Sequence, residues 1–470
     1  MDEALLPWSQ GVRKQPVHAS DQPCYGRIRD RKSARLGAGA ERRLTRIKAT
    51  DYSYENGTRL RQLRYTAVTD LDRHPRMALM RAFTLLPFMV LLFVLPFRET
   101  VALRLLCLAG AFLVAIALWR RLAPPRIPCK PALVFLALVA LFSLAGAVDR
   151  YYSLGEIKNE ILYTMMAFIA FFAVTREEDD LKRLLIALFA GAVAMCAWAL
   201  EARFRVGIWQ ERGGSYGTGV FPGYAAVLVP MLFLFGAWAP DRWRRIAVAA
   251  LFVTVVVTGF LSLQRIFVGI LALQGGVALI LLSRAGLIRL SRTAVLGSLI
   301  GIVVLAGGIL VTVQHERLNM KNAAPIAEDI RISQWAAVLD RIAQNPVQGS
   351  GFGREIMKKA HPDLDPTSSM WHAHNVFLNY GLEMGLPGIL ALGWVFFSLL
   401  QQYWRLYNSQ DEKLKLLGTA GLMLVLGVVL RNQVSDMFIR DAAILFWAVN
   451  GALLGLGHRK SLQGRLSPRV

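Results

Sequence analysis

Charged residues are scarce in this chain, which argues against an ordinary soluble protein. Of its 470 residues, 18% are charged and 55% are hydrophobic. From Met80 onward, apolar runs recur whose length is close to the roughly 20 residues that a helix needs to cross the hydrocarbon core. Open strands are excluded there, because unpaired backbone groups find no water. The sequence therefore predicts an all-α, polytopic transmembrane helical bundle.

Cysteines and acidic residues are also few. The four cysteines are Cys24, Cys107, Cys129 and Cys196. None lies in a predicted periplasmic loop, so no structural disulfide is expected. The 54 Lys and Arg residues outnumber the 32 Asp and Glu residues. Lys and Arg collect in cytoplasmic loops, where they lie next to membrane lipids and set the topology. This explains the excess better than nucleic acid binding does.

The N-terminal region lacks an apolar core. Residues 1–76 are polar, show no sustained helical period and carry no signal-peptide pattern. This composition predicts a cytoplasmic, mostly disordered tail. An alternative is an upstream extension of the reading frame, with Met77 or Met80 as the working start.

The remaining chain predicts about twelve spans. Residues 77–313 contain spans one to nine, 314–385 form a long periplasmic loop, 386–458 contain spans ten to twelve, and 459–470 form a cytoplasmic tail. The predicted spans are 80–97, 101–118, 132–148, 159–174, 184–200, 221–239, 246–263, 266–283, 294–313, 386–404, 414–430 and 440–457.

Basic connectors predict the orientation, because Lys and Arg collect in short cytoplasmic loops. Both termini are therefore expected in the cytoplasm. The basic connectors contain Arg120, Arg121, Arg126 and Lys130; Arg176, Lys182 and Arg183; Arg242, Arg244 and Arg245; Arg284, Arg289 and Arg292; and Arg405, Lys413 and Lys415. The segments expected on the outer face are 149–158, 201–220, Gln264–Arg265, 314–385 and 431–439.

The outer loop 314–385 is the largest hydrophilic segment of the membrane region, and loops of this length usually carry function. Apolar residues at helical spacing predict an amphipathic helix over 330–339. Asn345-Pro346 is expected to end that helix. The glycines at 349, 351 and 353 predict a flexible loop.

Three residues are the main candidates for chemistry. His374 lies where the outer loop re-enters the membrane, so it either accepts a proton near neutral pH or merely anchors the loop. Arg265 lies between two apolar spans, where an arginine pairs with an anion, lines a polar cavity or extends to the head groups. Arg331 opens the amphipathic helix beside Asp329, and a plain salt bridge is its alternative.

Other positions are secondary candidates. Gly381 and Gly385 are four residues apart, which predicts a shared helix face that packs closely on a neighbour. Phosphate or lipid head groups are possible ligands for an outward basic group. This group consists of Arg203, Arg205 and Arg212, partly balanced by Glu201 and Glu211.

Metal and nucleotide chemistry are not expected. His372 and His374 are two residues apart and would not share a helix face. With His361, Asp363 and Asp365 nearby, they still make no full ligand set of usual spacing. No phosphate-cradling GxxxxGK[ST] segment is present. We therefore expect no metal, no cofactor and no ATP-driven step.

Several motifs resemble those of the O-antigen ligase family. The family's histidine motif is similar to His374-Asn375 followed by nine residues and then Gly385-x-x-Gly388. Its preceding segment resembles Arg331-x-x-x-Trp335 followed by Asn345-Pro346-x-x-Gly349-x-Gly351-x-Gly353. Arg265 is similar to the arginine of the family's "SR" element, with Gln264 in place of the usual Ser. The resemblance covers residues 140–455, and its specific part is 260–390.

The resemblance implies a bacterial inner-membrane glycosyltransferase whose active face is periplasmic. Such ligases transfer an O-antigen glycan from undecaprenyl pyrophosphate to a sugar of the lipid A–core, without ATP. It implies His374 as the general base, and Arg265 and Arg331 as arginines that bind pyrophosphate. The residues expected to bind substrate are Asn375, Arg203, Arg205 and Arg212.

Other functions stay open at this point. O-antigen polymerases and protein O-oligosaccharyltransferases belong to the same superfamily and differ in the acceptor, which these motifs do not identify. A lipid or sugar transporter is the hypothesis from another class. Transporters often carry repeated halves with charges near the membrane midplane, and no internal repeat is evident here.

Overall fold

The computed structural model describes residues 75–206, 220–319, 330–364 and 372–466. The predicted tail at 1–76 lies outside these ranges except for its end. Helices α1 to α9 are Pro75–Val94, Val101–Ala117, Lys130–Phe142, Arg150–Val174, Glu178–Val206, Phe221–Ala237, Arg242–Leu261, Arg265–Arg284 and Arg292–Asn319. Helix α10 is Ile330–Gln344, and α11 to α13 are Val376–Tyr407, Glu412–Arg431 and Arg440–Leu466.

The all-helical membrane fold is confirmed within the described ranges. Eight helices there are long and apolar enough to cross a membrane, namely α4, α5, α7, α8, α9, α11, α12 and α13. The other four predicted spans coincide with shorter apolar helices in α1, α2, α3 and α6. The number of twelve crossings therefore stays a prediction.

The boundaries around the outer loop differ from those predicted. Helix α9 continues to Asn319, and α11 begins at Val376, well before the predicted start of the tenth span. The amphipathic helix is confirmed as α10, and it ends at Gln344, directly before Asn345-Pro346. A proline there ends the helix because it restricts the preceding residue and lacks an N–H donor.

Contacts between connectors define two ends of the bundle. One end, here called the motif end, contains the connectors 143–149, 262–264, 345–364, 372–375 and 432–439. Two backbone hydrogen bonds link parts of the chain at this end. Val148 donates to the carbonyl of Ser350, and Val376 donates to that of Asn432, each at 3.0 Å.

The opposite end, here called the basic end, contains the connectors rich in Lys and Arg. Arg459 of α13 donates to the carbonyls of Leu122 and Ala173 at 3.0 and 2.8 Å. The hydroxyl of Tyr407 donates to the carbonyl of Leu281 at 2.9 Å. These contacts bring the chain near Leu122, Ala173 and Leu281 to one end of the bundle.

Small residues let the central helices approach closely. A Cβ at Gly455 of α13 would lie 2.5 Å from the carbonyl oxygen of Phe172 in α4. Phe168, Phe171 and Phe172 of α4 are almost fully buried. Such close backbone contact is typical of helix pairs in membranes. It brings α4 and its polar residues next to α13 and the connector before it.

Candidate active site at the motif end

A break in α11 shapes the motif end. Gly385 has a left-handed φ of 69° inside the helix, and Pro387 lacks the N–H that would continue the hydrogen-bond ladder. The predicted shared helix face of Gly381 and Gly385 is therefore wrong, because the backbone at Gly385 is not helical. Close approach is nevertheless confirmed, since a Cβ at Gly385 would lie 2.5 Å from the carbonyl oxygen of Pro346.

The glycine loop, residues 345–353, is docked into this break. The N–H groups of Ser350 and Gly351 donate to the carbonyls of Leu382 and Glu383 at 2.8 and 3.0 Å. The kink frees these carbonyls from the helical ladder, and the loop supplies replacement donors. Gly351 has a φ of 107°, and a Cβ there would lie 2.7 Å from the nearest side chain. The prediction of a flexible loop is therefore wrong, because its glycines serve a close fit.

The imidazole of His374 contacts that of His372 next to the start of α11. The backbone at His374 is left-handed, with a φ of 51°, which is uncommon for residues other than glycine. Its N–H donates to Nδ1 of His372 at 3.0 Å, and the two ring centroids lie 3.8 Å apart, edge to face. The expectation that these side chains diverge is wrong, because both residues precede the helix.

The backbone between the two histidines is held from both sides. Trp335 of α10 donates its indole N–H to the carbonyl of Ala373 at 2.7 Å. The N–H of Ala373 donates to the amide oxygen of Asn379 at 2.9 Å. Asn379 in turn donates to Asp436 at 2.9 Å. These bonds link α10, α11 and the connector before α13 around the half-buried His374.

Arg354 is a central charge of this site that the sequence did not single out. Its guanidinium contacts Nε2 of the buried His372. Three buried carboxylates interact with it electrostatically, those of Asp436, Glu160 and Glu383. Burial lowers the pKa of Arg354, and the carboxylates oppose that shift. Among the described residues, no group of His, Cys, Asp and Glu is arranged to hold a metal ion.

The three carboxylates come from separate parts of the chain. Glu160 lies in the π-helical segment Ile157–Leu162 of α4, and such segments often occur at functional sites. Glu383 precedes the break in α11, and Asp436 lies in the connector before α13. Ionisable residues at membrane depth are costly and usually functional. One available signal was Glu160 inside a predicted span.

A clasp on the outer surface fastens the chain beyond the glycine loop to the start of α4. Lys359 pairs with Asp149 at 2.5 Å and lies 4.3 Å from the ring centroid of Tyr152. The Tyr152 hydroxyl accepts a hydrogen bond from the N–H of Glu355 at 3.0 Å. The hydrogen bond from Lys359 lowers the pKa of Asp149. The clasp therefore holds the chain directly after Arg354.

Arg265 opens α8 at the same end of the bundle as His374. The turn Gln264–Arg265 is confirmed, since α7 ends at Leu261. A Cβ at Gly269, one turn into α8, would lie 3.8 Å from Leu430 at the end of α12. The chain just after α12 also bonds the first residue of α11. Half-buried Arg265 thus adds its charge to a helix N-terminus, which favours anions.

Of the remaining candidate arginines, one opens α10, two lie on α5 and one is outside the described ranges. Arg331 lies in the first turn of α10, and its side chain is outside the described residues. Arg205 pairs with Glu201 at 2.8 Å on the exposed end of α5, and Arg203 lies in the same turn. Arg212 is outside the described ranges.

Asn375 has a local structural role. Its side-chain oxygen accepts from the N–H groups of Phe377 and Leu378 at 2.9 and 3.3 Å, so it caps the start of α11. Its amide nitrogen donates to the carbonyl of Gln433 at 3.3 Å. The predicted contact of Asn375 with substrate stays a prediction.

The fold and this end of the bundle define a polytopic helical membrane protein with a charged site next to a paired histidine. Residues 250–393 match the family model described as O-antigen ligase. The resemblance to the O-antigen ligase family is thereby confirmed, and the matched segment contains Arg265, the glycine loop and His374. This family points to a membrane enzyme of the glycosyltransferase kind. The comparison with curated proteins gives no significant match.

Proposed function

We propose that this protein is an O-antigen ligase. It would transfer a glycan from undecaprenyl pyrophosphate to a sugar hydroxyl of the lipid A–core at the periplasmic face of the bacterial inner membrane. The proposal is supported by the match of residues 250–393 to the family model, a segment that contains both the half-buried His374 and Arg265 at the N-terminus of α8. Both substrates are anchored in lipid, so a site at the end of a membrane bundle suits them.

The reaction needs a proton acceptor and a stabilised leaving group. His374 takes the proton of the acceptor hydroxyl, and the hydroxyl oxygen forms a bond to the anomeric carbon of the donor. The bond between that carbon and the pyrophosphate oxygen breaks, and undecaprenyl pyrophosphate leaves with the electron pair. Arg265 and Arg331 bind the pyrophosphate, which guanidinium groups match in charge and geometry.

The acceptor distinguishes the ligase from its alternatives in the superfamily. A polymerase would extend a second lipid-linked glycan, and a protein O-oligosaccharyltransferase would modify Ser or Thr. We favour the ligase because the histidine motif matches its spacing in full. A lipid or sugar transporter would move its substrate without changing it.

One reconstitution separates these activities. Purified protein in proteoliposomes receives undecaprenyl-pyrophosphate glycan in three mixtures, all without nucleotide. The first contains lipid A–core, the second contains a second lipid-linked donor glycan and no other acceptor, and the third contains an acceptor peptide. The proposal expects glycan on lipid A–core and release of undecaprenyl pyrophosphate. Product only in the second or third mixture would assign the polymerase or the protein-modifying activity. Movement of unmodified glycolipid across the bilayer, with no product, would identify a transporter.

A further inference from the structure

His372 makes two contacts that depend on the protonation of its ring. Its Nδ1 accepts from the N–H of His374 at 3.0 Å, and its Nε2 contacts the guanidinium of Arg354. Both partners can only donate hydrogen bonds. A neutral imidazole has one lone-pair nitrogen and accepts from one of them, whereas a protonated imidazole accepts from neither.

The surroundings of His372 add to this dependence. Its imidazole is 2% exposed and lies against the ring of His374 at a centroid distance of 3.8 Å. A positive charge on His372 would therefore face the guanidinium of Arg354 and, when His374 is protonated, a second cation. The carboxylates around Arg354 are those of Glu160, Glu383 and Asp436.

The fixed backbone transmits any change at His372 to its neighbour. Trp335 and Asn379 hold Ala373 between the two histidines, and His374 has a left-handed backbone. If the contact with His372 is lost, the N–H of His374 loses its acceptor. The orientation of the His374 imidazole then depends on a strained residue with one fewer support.

We propose that His372 is a positioning residue for His374, and that glycan transfer requires both rings in the neutral form. This inference rests on the proposed function, because it takes His374 as the general base. Each essential base that must be neutral lowers the rate about tenfold per pH unit on the acid side. Two such bases lower it about a hundredfold per pH unit over the range where both are protonated.

The test is the steepness of the acid limb of kcat/KM, measured on the full chain in proteoliposomes from about pH 8 down to about pH 4, so that the second of the two coupled protonations falls within the range. His372→Asn removes the titratable ring at position 372 and keeps a hydrogen-bond acceptor near the place of Nδ1. The kcat/KM of this variant should therefore show a one-proton acid limb, with a fall of about tenfold per pH unit. His372→Gln keeps an acceptor near Nε2 and serves as a second variant if the first does not fold. Changes in substrate ionisation affect the wild type and both variants equally.

The outcomes are distinct. A two-proton limb in the wild type and a one-proton limb in either variant supports the inference. A one-proton limb in the wild type, or a two-proton limb that persists in the variants, overturns it. Full transfer by His374→Ala would instead exclude His374 as the general base, and absence of glycan product with the wild type would exclude the proposed function.

Discussion

At the scale of single residues, the His374 imidazole is the group whose removal should affect the chemistry most. His374→Ala should lower the transfer rate by about 10²–10⁴-fold, the usual cost of losing a general base. Donor binding and membrane insertion should be retained. Initial rates in proteoliposomes test this, with His315→Ala as the control because His315 is an exposed histidine of α9. A variant that keeps most of the wild-type rate would exclude the general-base role.

Arg265 can be compared with an arginine at the other end of the same helix. Arg265→Ala should abolish or severely reduce transfer and weaken donor binding, because it removes the charge at the N-terminus of α8. Arg265→Lys should restore only part of the activity, since lysine keeps the charge and loses the two-pronged geometry. Arg284→Ala, the matched control at the basic end, should bind donor normally. If Arg265→Ala, Arg265→Lys and Arg284→Ala all bind donor equally well, Arg265 does not bind the pyrophosphate.

The charge of Arg354 should matter for stability. Arg354→Leu removes the cation that interacts with Glu160, Glu383 and Asp436. The variant should be less stable than the wild type, because the carboxylates lose a cation that offsets their charge. Adding Glu160→Gln should recover part of the loss, and Asp179→Asn, on the exposed start of α5, should not. Thermal unfolding in detergent measures this, and an unchanged midpoint for Arg354→Leu would contradict it.

At the scale of elements, the glycine loop and the break in α11 form one unit. Gly351→Ala should destabilise the protein and reduce transfer, since its φ is 107° and the new Cβ would lie 2.7 Å from that of Ala147. Gly301→Ala in α9 has open space around it and should be neutral or slightly stabilising, because alanine favours helix. Unfolding midpoints and transfer rates of the two variants test the difference. Equal behaviour would mean that the loop is not tightly docked.

The same element explains why two sequence motifs occur together. The motif around Pro387 frees helix carbonyls, and the motif that begins at Asn345 supplies N–H groups to them. Local periodicity predicted α10, and Asn345-Pro346 predicted its end, because both signals depend on neighbours in sequence. It did not predict the docked loop, because the partners at Leu382 and Glu383 are brought there by the fold.

At the scale of the whole molecule, the two ends should face opposite sides of the membrane. Lys358→Cys at the motif end and Gln410→Cys at the basic end are both exposed positions. A membrane-impermeant thiol reagent should label the first in intact spheroplasts and the second only after lysis, as the positive-inside rule predicts. The described native cysteines are buried and should react slowly. The reverse labelling would invert the topology and move the site to the cytoplasm.

The sequence by itself determined that this is an all-helical membrane protein, and it predicted where the apolar helices lie and which connectors are basic. These follow from apolar run length and from the placement of Lys and Arg, which act locally along the chain. It also identified Arg265, the glycine motif and His374 as parts of one family pattern.

The tertiary structure decided which residues surround the histidine. Arg354, Glu160, Glu383 and Asp436 are far apart in sequence, and the packing of α4, α11 and α13 brings them together. Only the fold reveals that His372 contacts the imidazole of His374 and that the glycines serve a close fit. The physical reason is that buried charges are stabilised by partners across the bundle, and no local pattern specifies which partners those are.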